Sequence, residues 1–108
     1  MLKSITSDQL ETLIQFKADV QVLDVRKKPA FDDDNCLAEG AEWRDPTSLD
    51  DWAGDLDTSK PVICYCVHGH QVSQDAAREL GRRGFDAYYL RGGFDEWKHR
   101  SAPLMSKG

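Results

Sequence analysis

A chain of 108 residues, 40% apolar and 31% charged, has room for one compact domain around one core and not for two. Its net charge of −5 excludes a general nucleic-acid binder, which needs a basic face for the phosphate backbone. The longest uncharged apolar run, Val62 to Val67, falls far short of the ~20 residues that cross a bilayer, which excludes a membrane span.

Thr6 with Gln9 three residues on reads as a capping box. Leu10, Leu13, Ile14 and Lys17 then follow helical spacing, which predicts a short amphipathic helix over 7–17. Residues 20–25, Val-Gln-Val-Leu-Asp-Val, are β-branched and apolar enough for a strand. Pro29 can open a single helical turn with Ala30 and Phe31, ended by the run Asp32 to Asn35. A second short strand is expected over 40–43, and a short helix over 46–52 with Pro46 near its first position. Residues 61–66 form an uncharged run suited to a central strand buried on both faces. The loop 68–71 follows it. Val72, Ala76, Ala77 and Leu80 then make a helical stripe opposite Asp75, Arg78, Glu79, Arg82 and Arg83. Glu79 and Arg83 are a favourable i,i+4 pair, and Gly84 stops the helix. A strand over 85–90, a Gly92-Gly93 turn and a helix from Phe94 to Lys98 complete the order. Such alternation predicts an α/β fold, with a mainly parallel central sheet of about four to five strands and helices on both faces.

Charge is uneven along the chain. From Asp32 to Asp57 stand ten acids and one base, Arg44, either a solvated face or a patch for a basic partner. No basic stretch leads into an apolar segment at the start, so a cytoplasmic protein is expected. Three cysteines, Cys36, Cys64 and Cys66, are an odd number and make no disulfide framework. Cys36 sits among acids that disfavour its thiolate. Cys64 lies mid-strand, where a side chain packs, on the same side as Cys66. Cys64, Cys66, His68 and His70 are a zinc-ligand set by type. Along an extended strand, however, alternate ligands would string out ~6–7 Å apart instead of converging. No metal or other cofactor is expected.

Cys66 ends the most buried strand and opens a short loop into a helix. In open parallel sheets the reactive site lies beyond the carboxyl ends of the strands. Loop amides can converge there, and the helix N-terminus adds partial positive charge. Both favour negative charge at that point, the setting of a nucleophilic sulfur, and Gly69 allows the positive φ of a tight cradle. Position alone leaves a second reading open, a cysteine packed at a strand end. His68 and His70 are either anion donors beside that sulfur or solvent-exposed side chains.

Four segments together resemble the single-domain rhodaneses in order and spacing. They are Leu23-Asp24-Val25-Arg26, Cys66 with Gly69, Ala76-Ala77 through Leu80 to Gly84-Phe85, and Gly92-Gly93-Phe94 with Trp97. Leu37 to Ala41 is similar to a worn version of that family's H-I-P-G-A segment. The likeness runs roughly from Thr6 to Pro103, so residues 1–108 read as one rhodanese domain with a core of about 6–103. It implies a three-layer rhodanese-like fold and a sulfurtransferase that needs no cofactor. Such an enzyme moves a sulfane sulfur from a donor such as thiosulfate to cyanide or a thiol, or to an acceptor protein, through a cysteine persulfide. Cys66 matches the persulfide cysteine. Val67, His68, Gly69, His70, Gln71 and Val72 match the loop that cradles the outer sulfur. Asp24 and Arg26 match a D-x-R pair that holds the loop in place, a role suited to a buried bidentate pair.

Two departures stand out. Gln71 and Val72 occupy the place where the family loop commonly carries an arginine, so a dianionic donor lacks that fixed charge. Ala38 replaces the proline of H-I-P-G-A, and its histidine is absent. Two alternatives remain beside the enzyme: a persulfide carrier or sensor that serves a protein partner, and a phosphatase or arsenate reductase on the same fold. The second lacks the arginine clamp its oxyanion needs.

Overall fold

A computed structural model describes residues 2–107. In chain order the first elements are β1 (Lys3–Ile5), α1 (Ser7–Gln15), β2 (Gln21–Asp24), α2 (Lys28–Asp32), β3 (Cys36–Ala38) and β4 (Glu42–Trp43). There follow α3 (Leu49–Trp52), a 3-10 turn at Ala53–Asp55, β5 (Val62–Tyr65), α4 (Gln71–Arg82), β6 (Ala87–Leu90), α5 (Gly93–His99) and β7 (Leu104–Ser106). Five strands form one parallel sheet in the order β1-β6-β5-β2-β4. β3 and β7 make a separate antiparallel pair.

β5 lies at the centre and is buried at all four positions. Its alternation divides the core, as period 2 requires. Ile63 and Tyr65 pack with Leu10, Leu90, Phe94 and Trp97 on the α1 and α5 side. Val62 and Cys64 pack with Trp52, Ala76, Ala77 and Leu80 on the α3 and α4 side. The expected parallel α/β sheet with helices on both faces is the observed fold.

Several boundaries differ from expectation, each for a local reason. The first helix ends at Gln15, not residue 17, because Lys17 turns to φ 53 and the Ala18 amide folds back to the Leu13 carbonyl. Its start holds: Thr6 and Gln9 exchange both capping-box bonds. The strand expected over 40–43 begins only at Glu42, since Gly40 (φ 82) and the Ala41–Ala38 bond form a turn. The helix expected from Pro46 starts at Leu49. Asp45 accepts bonds from the Thr47 amide and hydroxyl, at 2.9 and 2.7 Å, and so holds a turn there instead. The strand expected from Phe85 starts at Ala87, because the Phe85 amide is still bonded to Leu80 across the Gly84 turn. β1, β3 and β7 were not expected at all. Each is only three residues long, and none shows a repeating pattern over so short a run. β1 and β7 add paired chain outside residues 6–103.

Part of the acidic stretch is tied to bases. Asp32 pairs with Lys28, Asp34 with Lys98, Glu42 with Arg44, and Asp50 with Arg83. The small sheet is fastened to the large one by side chains. Tyr65, at the end of β5, accepts a bond from the Ala38 amide at 3.0 Å and donates to Asp24 at 3.0 Å. Burial and then the Asp24 charge raise the Tyr65 phenol above its ordinary range, which keeps it a donor. Tyr65→Phe should cost about 1–3 kcal/mol, because it strands a buried amide and one buried carboxylate bond. Urea denaturation measures this, and an unchanged midpoint would show that the hydroxyl does not fasten the two sheets.

Candidate active site

The sequence places Cys66 directly after β5, where the strand leaves the sheet. Its Sγ is buried, with the residue 6% exposed. Among the described residues its one hydrogen-bond partner is the Ser73 hydroxyl, at 3.1 Å. Ser73 is fully buried on α4 in line with Ala76, Ala77 and Leu80. The expected stripe began with Val72, but Val72 is only half-buried and Ser73 takes the inner position. A signal existed in the sequence: Ser73 stands three and four residues before two buried alanines, in the first turn of the helix that follows the cysteine loop.

Two close backbone approaches shape the loop. Gly69 has φ +74, and a Cβ there would stand 2.6 Å from the Leu90 carbonyl oxygen and 2.8 Å from the Gly92 nitrogen. Gly93 has φ +61, and its Cβ would stand 2.5 Å from the Gly69 nitrogen and 2.6 Å from the Cys66 carbonyl oxygen. The loop after β5 and the turn after β6 therefore interlock glycine to glycine. Read as a plain turn in the sequence, Gly92-Gly93 is one wall of the cysteine loop. The first-turn amides of α5, which a helix leaves free, are used here. Phe94 donates to the Cys66 carbonyl at 2.8 Å and Asp95 to the Val67 carbonyl at 2.9 Å.

With those carbonyls pinned, the loop's own amides stay open. Among the described residues, none of the amides from Val67 to Ser73 donates a hydrogen bond to another group of the chain. Those of Gln71, Val72 and Ser73 also form the N-terminus of the twelve-residue α4, so its dipole adds to theirs. Such an array favours negative charge beside the sulfur. His68 and His70 are exposed at the rim with ring centroids 6.0 Å apart, and Nδ1 of His68 stands 4.0 Å from Asp95. Gln71 and Val72 belong to the first turn of α4. The Gln71 side chain runs along that helix and donates to Asp75 at 2.6 Å. Beside them Lys27, which has no ion pair among the described residues, lines a shared cavity with Pro46 and Thr47.

Asp24 and Arg26 lie beneath this loop, 0% and 1% exposed. Arg26 donates to both Asp24 oxygens, at 2.6–3.0 Å, and to the Cys36 carbonyl at 3.1 Å. Burial alone would lower its guanidinium, but the bond and charge of Asp24 outweigh that and raise it. Phe94 lies against the guanidinium, 4.3 Å from ring centroid to Cζ. The pair reaches the loop through that residue, whose amide holds the Cys66 carbonyl.

The other two thiols are poorly placed for chemistry. Burial pushes Cys64 up to about 12, with the charge of Cys66 adding to it. Burial and Asp34 raise Cys36, whose thiol donates to that carboxylate at 3.2 Å.

The family described as the rhodanese-like domain matches residues 6–100. The thiosulfate sulfurtransferase GlpE of Coxiella burnetii (strain RSA 331 / Henzerling II) is 32% identical over 99 residues, covering 91% of this chain and 89% of that protein. Its namesake from Stutzerimonas stutzeri (strain A1501) is 38% identical over 79 residues, 72% of this chain and 70% of the relative. Among solved structures, a full-length protein from Lactobacillus plantarum superposes with a TM-score of 0.84 at 27% identity, covering 95% of this chain and 87% of that one.

Two outcomes are expected from this geometry. Gly69→Ala should destabilise the chain by about 2–4 kcal/mol, since positive φ and backbone contact act together. Gly84→Ala, at φ +94 with nothing within 4 Å, should cost only about 1 kcal/mol. Equal losses in urea denaturation would remove the close approach as a constraint. The second outcome concerns acid. Burial tends to raise the Asp34 carboxyl, but bonds from Lys98 and Cys36 hold it at about 2. Its ionised form therefore stabilises the fold above the ordinary carboxylate range and loses that effect as pH falls toward about 2. Asp34→Asn should flatten this limb of the stability–pH curve, and a slope that survives the substitution assigns it elsewhere.

Proposed function

The chain belongs to the rhodanese-like domain family, and on that premise we propose that it transfers a sulfane sulfur through a persulfide on Cys66. The observation that carries this reading is the run of amides from Val67 to Ser73, unpartnered among the described residues, that follows one buried sulfur. A donor such as thiosulfate enters the loop mouth. The Cys66 thiolate attacks its outer sulfur, a new S–S bond forms, and the donor's S–S bond breaks with its electron pair leaving on sulfite. The persulfide anion then rests against the amides of residues 67–72. Cyanide or a thiolate attacks the outer sulfur, the Cys66–sulfur bond breaks, and the electron pair returns to Cys66. Charge and atoms balance in both halves, and neither needs a cofactor.

The loop carries no arginine, and buried Arg26 is engaged with Asp24. That arrangement disfavours the phosphatase reading, in which three phosphoryl oxygens require a charged clamp. Instead Lys27, from the segment after β2, supplies the side-chain charge that steers a donor anion toward the loop, and exposed His68 and His70 offer ring N–H donors to it. Asp24 and Arg26 act by position only, holding Phe94 and with it the loop. The three cysteines are all free thiols, which fits a reducing, cytoplasmic setting.

Cys66→Ser should abolish thiocyanate formation while leaving the fold intact, because a hydroxyl does not supply the anion at neutral pH. Cys64→Ser and Cys36→Ser should keep most activity. Intact mass after incubation with thiosulfate should rise by one sulfur atom in the parent chain and not in Cys66→Ser. Donor and acceptor need never be bound together, so initial-rate plots should be parallel. Intersecting lines, or turnover in Cys66→Ser, would refute the persulfide route.

A further inference from the structure

The Cys66–Ser73 contact has a property that the amides lack. An amide N–H can only donate, whereas a hydroxyl both donates and accepts. Ser73 Oγ is fully buried, and its one partner among the described residues is Cys66 Sγ. A buried hydroxyl without another acceptor directs its hydrogen at whatever negative charge that sulfur carries. In the thiol state the sulfur donates to Oγ; in the thiolate state the same pair reverses, with no movement of either residue. Ser73 is also rigidly held. It sits on the inner face of α4, in register with Ala76, Ala77 and Leu80 against the central sheet.

Resting on the persulfide reading, we propose that Ser73 is a catalytic residue that acts chiefly in the acceptor half of the reaction. The two halves place different demands on Sγ. In the donor half Sγ starts as the anion and loses charge to the outer sulfur, so a hydrogen bond to the thiolate stabilises the ground state along with the approach. In the acceptor half Sγ starts as a neutral bridging sulfur. As the acceptor's lone pair forms its bond to the outer sulfur, the Sγ–S bond breaks and the electron pair collects on Sγ. The Ser73 hydroxyl lies at the atom where that charge develops, so its bond strengthens toward the transition state and lowers the barrier. The amides of the loop do not replace it, because none of them donates to Sγ among the described residues.

The test is to resolve the two halves in Ser73→Ala, an alanine in a helix interior that removes one hydroxyl and no packing contact of size. Persulfide formation from thiosulfate and its discharge by cyanide are followed separately by rapid quench and intact mass. Discharge should slow roughly 10–100-fold, the effect of losing one donor to a developing charge. Formation should change by less than about threefold, so the persulfide accumulates during turnover. Ser73→Thr keeps the hydroxyl and should restore discharge to within about threefold of the parent. The alkylation rate of Cys66 by iodoacetamide at fixed pH, located by peptide mass, gives a readout independent of sulfur transfer. It should fall in Ser73→Ala by the same small factor as persulfide formation, since both start from the Cys66 thiolate, and recover in Ser73→Thr. Equal slowing of both halves, unchanged discharge, or failure of Ser73→Thr to restore it would overturn the assignment. So would unchanged alkylation in Ser73→Ala. If the parent chain forms no persulfide while alkylation still follows the hydroxyl, the contact stands and the sulfur-transfer reading fails.

Discussion

A charge buried without its partner costs several kcal/mol, and this fold buries two opposite charges that must satisfy each other. Arg26 and Asp24 are both shut away from solvent beneath the cysteine loop. The guanidinium is satisfied by Asp24, by the Cys36 carbonyl of the small sheet and by the face of Phe94. The carboxylate is satisfied by Arg26 and by the Tyr65 hydroxyl, which in turn holds Ala38. Each partner belongs to a different element, so satisfying one ion pair sets the end of β2, the path of β3 and the seat of α5. From Phe94 the constraint passes directly to the cysteine loop, because the same residue's amide caps the Cys66 carbonyl.

The loop that follows Cys66 favours negative charge beside it. Its positive character comes from backbone dipoles and one helix terminus rather than from a guanidinium. Dipoles of this kind are fixed by the fold and need no reorganisation when charge appears beside them. They also hold charge only over a short range, which suits a single sulfur better than a bulky oxyanion. The interlocked glycines keep the amides in place. Without them the backbone of the 90–93 turn could not approach the loop at 2.5–2.8 Å from where a side chain would begin.

Three tryptophans pin the connecting segments around this centre. Each indole donates to a backbone carbonyl at 2.8 Å: Trp43 to Arg26, Trp52 to Asp45 and Trp97 to Pro103. A buried indole with its N–H satisfied adds area and direction together. Loops so held do not need secondary structure of their own, which is how a chain of this length keeps long connections ordered around so small a sheet.

The amino-acid sequence by itself determined the parallel sheet, its central strand, the long helix after Cys66 and the position of that cysteine. These features rest on local pattern: an uncharged run, a stripe of period 3.6, a glycine three residues past a strand-ending thiol. The order of four short segments also carried the family. Only the tertiary structure decided that Ser73, not Val72, faces the sulfur, that Gly93 walls the loop opened by Cys66, and that β1, β3 and β7 exist. A three-residue strand has no period to read, and its formation depends on an edge supplied by residues far along the chain. The approach of Gly69 to Gly93 and of Arg26 to Phe94 likewise joins positions that are near only once the sheet has formed. Packing distance is a property of two segments at once, and a pattern along one segment does not contain it.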